Sequence, residues 1–133
     1  MRGIPHNIVD HHWQRIKKAI LDHDKKSGFL KWYPLDFIYA SLLKSDWQCW
    51  ETDHSIFLTC ITVYPSGYKE FEILLVVGEG MEQWNNMAWH MLKAYAYNMG
   101  CDEIKWQGRK GWERYGKQHE PDLKTEYRYR VTL

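Results

Sequence analysis

Apolar side chains recur at Val9, Trp13, Ile16 and Ile20, in steps of four, three and four. That stripe predicts one amphipathic helix over residues 8–27. Asn7 stands where an N-cap would, and Gly28 where a C′ glycine would end the helix. Lys17, Lys18, Lys25 and Lys26 fall mostly off the stripe and read as a solvated face. Pro34 suits the first turn of a second helix, with Leu35, Ile38, Tyr39, Leu42 and Leu43 facing inward. Three strand-like runs follow, at 47–51, 55–64 and 68–77. Asp53-His54 and Pro65-Ser66-Gly67 are short turn signals between them, so the runs form an antiparallel meander. The middle run carries apolar side chains in both phases, which suits a central strand covered on both faces.

Residues 81–99 predict a second long helix, with a seam of Trp84, Ala88, Met91 and Tyr95 widened by Met87 and Leu92, and Gly100 as its stop. Residues 101–107 return as a strand with Ile104 and Trp106 on one face. Residues 108–117 form a short glycine-punctuated turn or helix. Residues 125–133 close the chain as an alternation: Tyr127, Tyr129, Val131 and Leu133 against Arg128, Arg130 and Thr132. The predicted fold class is α/β (α+β), one domain over 1–133, in the order α-α-β-β-β-α-β-α-β. A helix between the third and fourth strands is a crossover. It implies two neighbouring parallel strands inside a mostly antiparallel sheet.

Composition narrows the class. The 133 residues are 44% hydrophobic with a formal net charge of +1, which suits a folded domain and gives no global argument for nucleic acid. No apolar run approaches the roughly 20 residues of a membrane span, and the N-terminus has no apolar leader. Cys49, Cys60 and Cys101 form no CxxC pair and read as free thiols of a reducing cytoplasm. Eight Trp beside nine Tyr raise the expectation of an interface as well as a bulky core.

The order of elements resembles the acetyltransferase-type (GNAT-like) fold that binds acyl-CoA, over nearly the whole chain. The stretch NMGCDEIKW looks like that family's helix end running into its next strand. The tail is similar to small tailed-phage proteins that carry a diverged form of the fold with a GR-x-GW element, here Gly108, Arg109, Gly111 and Trp112. Some members of that group, in T7-like phages, are internal virion or virion-assembly proteins. The resemblance therefore implies phage structural or assembly proteins as partners, and the virion or host cytoplasm as location.

The family holds the CoA pyrophosphate on backbone N–H groups at the start of its long helix, through a Gln/Arg-x-x-Gly-x-Gly/Ala turn. Here that turn reads Gly78-Glu79-Gly80-Met81-Glu82-Gln83. It is shorter than the pattern, and the Gln/Arg lead is missing. A carboxylate at ~4 Å repels a phosphate by about 1–4 kcal/mol, so Glu79 and Glu82 read as helix-stabilising acids rather than ligand groups. For the chemistry, Tyr115 falls near the family's acid, and Glu72, Glu51 or His54 could serve as base, but none forms a recognisable pair. His6, His11 and His12 lack metal-site spacing. On this reading the protein is not an enzyme and has no catalytic residue, cofactor or metal. It works through protein contacts of Arg109, Trp112, Arg114 and Tyr115 in the tail element, with Trp47 and Trp50 as a second surface. The alternatives are an active acyl-CoA-dependent N-acetyltransferase and a small nucleic-acid-binding module that would use Arg109, Lys110, Arg114 and Lys117.

Overall fold

The computed structural model describes residues 1–79, 81–108 and 110–133, with the backbone alone at 81–85, 110–112 and 115. The first helix, α1, runs Val9–Ser27 and buries Val9, Ile16, Ala19 and Ile20, the predicted stripe. Gly28 ends it at φ 68°, its N–H donating to the Asp24 carbonyl. Only glycine takes that left-handed geometry without a Cβ penalty. Asn7 is not the cap. It lies inside a 3-10 turn, His6–Ile8, and no side chain caps α1. The second helix, α2 (Leu35–Leu43), follows Pro34 and buries Ile38, Ser41 and Leu42.

The sheet has five strands in the order β1-β2-β3-β4-β5: β1 Arg2–Ile4, β2 Trp47–Glu51, β3 Ser55–Val63, β4 Lys69–Gly78 and β5 Glu103–Trp106. All neighbours are antiparallel except β4 and β5, which run parallel across the crossover helix α3 (Met81–Asn98). This is the mixed, mostly antiparallel sheet that the element order predicts. The last helix is α4, Lys110–His119.

The sheet separates two cores, which is why β3 is apolar in both phases. On one face Leu58 and Leu75 pack with Ile16, Ile20, Ile38 and Leu42 of α1 and α2. On the other, Trp50, Phe57 and Phe71 pack with Ala88, Leu92 and Ala96 of α3.

Three expectations are corrected. The fifth strand is β1 at the N-terminus, not residues 125–133. The tail pairs with no strand among the described residues and exposes Tyr127, Tyr129, Val131 and Leu133 at 79–114%. Alternation alone does not make a strand without a neighbouring ladder. The α3 seam is Ala88, Leu92 and Ala96 with Tyr95 edge-on to Trp50, whereas Met87 (50%) and Met91 (36%) are exposed. Trp47 and Trp50, expected at a surface edge, are 7% and 8% exposed. The reason is β1: it pairs with β2 (Gly3 opposite Trp50, Ile4 opposite Cys49), so β2 is not an edge.

Candidate functional site

The parallel pair is short. β4 and β5 match only from Glu70 opposite Glu103 to Ile73 opposite Trp106, after which β5 ends and β4 continues to Gly78 on β3 alone. At that point the β3–β4 register slips: Leu58 faces Leu75 and Thr59 faces Ile73, so Leu74 is a bulge residue. Beyond it, the β5-side backbone of β4 has no strand partner among the described residues. A cleft of about 1110 Å³ opens there. Its floor is β4 from Glu72 to Gly78. Ala88 and Leu92 of α3, Trp106 and Gly116 of α4 line one side, and the end of α1 with Trp32 and Tyr33 lines the other. Gly116 packs closely there: a Cβ would sit 2.8 Å from the Leu123 methyl and 3.4 Å from Trp106, so the leucine would have to shift.

Glu70 and Glu72 share one face of β4. Lys105 of β5 reaches both, at 2.9 Å from Glu70 and 3.7 Å from Glu72. The Tyr64 hydroxyl donates to Glu70 as well, at 3.0 Å. Burial pushes the Glu70 carboxyl up, but the Lys105 and Tyr64 hydrogen bonds outweigh it and leave the group below its ordinary value. Lys105 in turn is held above its ordinary value, chiefly by its bond to Glu70. Glu70 therefore takes the close partners, and Glu72, which lines the cleft, keeps the longer one. Cys60 stands opposite Glu72 on β3, its thiol pushed up to about 11 by burial and then by Glu72. Cys49 is pushed up to about 12, also by burial first. Neither thiol is a ready nucleophile at neutral pH.

At the far end of the cleft Glu120 is engaged, accepting from Trp89 Nε1 at 2.9 Å and Lys93 Nζ at 2.6 Å. The turn into α3 is pinned to the β2–β3 turn just ahead of β3. The Glu79 N–H donates to the His54 carbonyl at 3.2 Å. That amide is thus turned toward the β2–β3 turn and not toward an anion. Gly80 lies outside the described residues, as does the Glu82 side chain, so the acidic turn is described only through exposed Glu79.

Of the tail element, Arg109 lies outside the described residues, as do the side chains of Trp112 and Tyr115. Arg114 is exposed on α4. Trp47 and Trp50 sit in opposite cores. Glu51 is buried with Arg2, His12 and Arg15 on the β1 side and does not line the cleft. Sequence reasoning weighed Glu72 but missed its companions. The signal was there in Glu70-Phe71-Glu72-Ile73, which puts two carboxylates on one strand face. The bulge at Leu74 leaves no such mark. Among the described residues no group of three or more His, Cys, Asp or Glu is placed to hold a metal ion, and no helix is long and apolar enough to cross a membrane.

No family model matches the chain, and no curated protein does. Solved structures do. An aminoglycoside acetyltransferase from an uncultured soil metagenomic sample superposes with TM-score 0.68 at 8% identity, covering 99% of this chain and 94% of that one. A probable acetyltransferase gives 0.65 at 12%, covering 100% and 99%. A predicted acetyltransferase from Clostridium acetobutylicum, solved with acetyl-CoA, gives 0.62 at 14%, covering 99% and 94%. The chain has the acetyltransferase-type fold. The expectation of a non-catalytic protein is corrected on this finding, since chains that share the fold end to end are named acetyltransferases. At these identities the likeness establishes the fold alone.

Proposed function

We propose that this chain is an acyl-CoA-dependent N-acyltransferase. One observation carries the reading. The parallel strands part at a bulge, and the parting opens a cleft with one carboxylate, Glu72, on its floor. Its volume of about 1110 Å³ is at or above the ~300–1000 Å³ of most ligand pockets, so a long cofactor arm has room. The wall formed by Phe57, Leu75, Ala88 and Leu92 is apolar and suits such an arm. When bound, acyl-CoA supplies an activated thioester.

The chain's own groups then have two tasks. Backbone N–H groups of β4 past Leu74, without a β5 partner, would donate to the thioester oxygen as negative charge develops on it. Glu72 would take the proton of the amine as nitrogen bonds to the acyl carbon and the carbon–sulfur bond breaks. Lys105, fixed by Glu70, orients Glu72 for this. The proton for the departing sulfur comes from solvent or from Tyr115, whose side chain lies outside the described residues. Nothing in the fold or in the three named neighbours speaks for a virion role, and the separation of Trp47 from Trp50 removes the second contact surface that role relied on.

Calorimetry with CoA tests the reading. Binding at about 10 µM or tighter is expected, near −7 kcal/mol. Glu72→Gln should lower turnover by roughly 10²-fold with little change in CoA affinity. An absence of binding at millimolar CoA would sink the proposal.

A further inference from the structure

The cleft passes from one face of the sheet to the other, and its two ends differ in charge. Among the described residues the α3/α4 end is lined by no Lys or Arg, and its polar side chains are Gln107, His119 and the engaged Glu120 among apolar ones. The α1 end gathers Lys25 and Lys26 from the last turn of α1 with Arg128 and Arg130 from the C-terminal tail, segments a hundred residues apart in sequence. Arg130 lies over Trp32, its guanidinium carbon 4.5 Å from the ring centroid. A guanidinium has five N–H donors, so a contact with one ring leaves donors for a second partner. Lys25 lies 4.0 Å from Asp22. Among the described residues no carboxylate pairs with Lys26, Arg128 or Arg130 within ion-pair distance. The tail's alternation explains this orientation. Arg128 and Arg130 face the cleft, while Tyr127, Tyr129 and Val131 point away.

Glu72 opens to this same end. It stands opposite Cys60 and Lys105 in register, and Cys60 packs with the α1/α2 core. The Tyr33 hydroxyl, raised first by burial, also senses Glu72 in one direction and Arg128 in the other, so both charges are near one ring. An amine whose proton goes to Glu72 therefore approaches through the basic end. Asp22 lines the same end and offsets Lys25, so Lys26, Arg128 and Arg130 give the rim the net positive field that attracts an anion, and the arginine fork matches phosphate oxygens.

We infer that the acceptor is a small amine carrying a phosphate group, with the phosphate seated on Arg128, Arg130 and Lys26 and the amine at Glu72. This rests on the acyl-CoA reading above. The donor's own phosphates are the other source of the same chemistry, and the test must separate the two.

The intact protein is titrated with phosphoethanolamine against ethanolamine, and with glucosamine 6-phosphate against glucosamine, each with and without saturating CoA. The phosphorylated member of each pair should bind about tenfold tighter or better. In the Arg128→Gln/Arg130→Gln double variant that preference should vanish while CoA affinity stays within about twofold. Circular dichroism checks the fold of this variant, both positions being exposed. Equal affinity within each pair, no measurable binding of either, or a preference that survives the double substitution overturns the inference. So does a parallel fall in CoA affinity, which would assign the cations to the donor. If CoA fails to bind but the phosphate preference holds and depends on the arginines, the anion site stands and the acyltransferase reading falls.

Discussion

Gly78 shows how much one residue can decide here. It closes β4 against the β3 hairpin at φ 156°, and a Cβ would lie under 3.0 Å from the His54 carbonyl and from Ser55. The obstacles are backbone and a short side chain, which cannot swing aside. Gly78→Ala should therefore destabilise the fold by about 1–3 kcal/mol, read as a lower urea midpoint at unchanged slope. Glu51 is the second such residue. Arg2 Nε and Arg15 Nη1 each donate to it at 2.6 Å, and His12 lies 3.6 Å away. Burial alone would raise its carboxyl, but the Arg2 hydrogen bond and the charges of Arg2, His12 and Arg15 outweigh that and hold it below the ordinary 4.5. A lowered folded-state value means stability that is complete above 4.5 and is lost as pH falls through 4.5 toward the folded value. The melting-temperature gap between wild type and Glu51→Gln should thus be widest near pH 7 and should close in acid. A gap independent of pH would show that the carboxylate charge contributes nothing.

At the scale of elements, the C-terminal tail is separable from the fold. Residues 124–133 make no backbone hydrogen bond to the rest among the described residues; the Thr125 side chain donates to Glu113 at 3.0 Å, and Arg130 lies over Trp32. Removing 126–133, and with it the Arg130–Trp32 contact, should change unfolding free energy by no more than about 1 kcal/mol, measured by urea titration. A larger loss would mean that the tail packs as a sixth strand after all. The helices were legible because Val9, Ile16 and Ile20 repeat at helical spacing and then bury, and because Ala88 and Leu92 do so in α3 with Tyr95 packed against the same core, although Met87 and Met91 of the expected seam stay exposed. β1 was not, because three residues, Arg2–Ile4, carry too little pattern to register as a strand. That omission propagated: without β1, β2 looks like an edge, and Trp47 and Trp50 look like surface aromatics. The tail failed in the opposite direction, since its alternation is clear and its partner strand is missing. The cleft depends on where β5 stops and on the slip at Leu74, and both are set by tertiary pairing rather than by any local run of residues.

For the molecule as a whole, the sheet keeps two cores apart, and the cleft is where the sheet between them parts. A ligand lying there touches Leu75 and Val77 on one side's core and Phe57, Ala88 and Leu92 on the other's. It should therefore stabilise the native state globally rather than order one loop. For a ligand that binds only the folded chain, saturation at 100 times Kd adds about 2.7 kcal/mol. With CoA at 1 mM and a dissociation constant of about 10 µM, that corresponds to a melting-temperature rise on the order of 10 °C for a domain of this size. Glu72→Gln should show the same rise, because Glu72 faces the acceptor end and contacts Lys105 rather than the apolar wall. Turnover in that variant should nevertheless fall. Differential scanning fluorimetry with and without CoA, run on both proteins beside the transfer assay, separates the two roles. If the rise disappears in Glu72→Gln, this carboxylate belongs to the donor site and the division of the cleft into donor and acceptor ends is wrong. If wild type itself shows no rise at 1 mM, the cleft does not take CoA, and the shared fold serves a different chemistry.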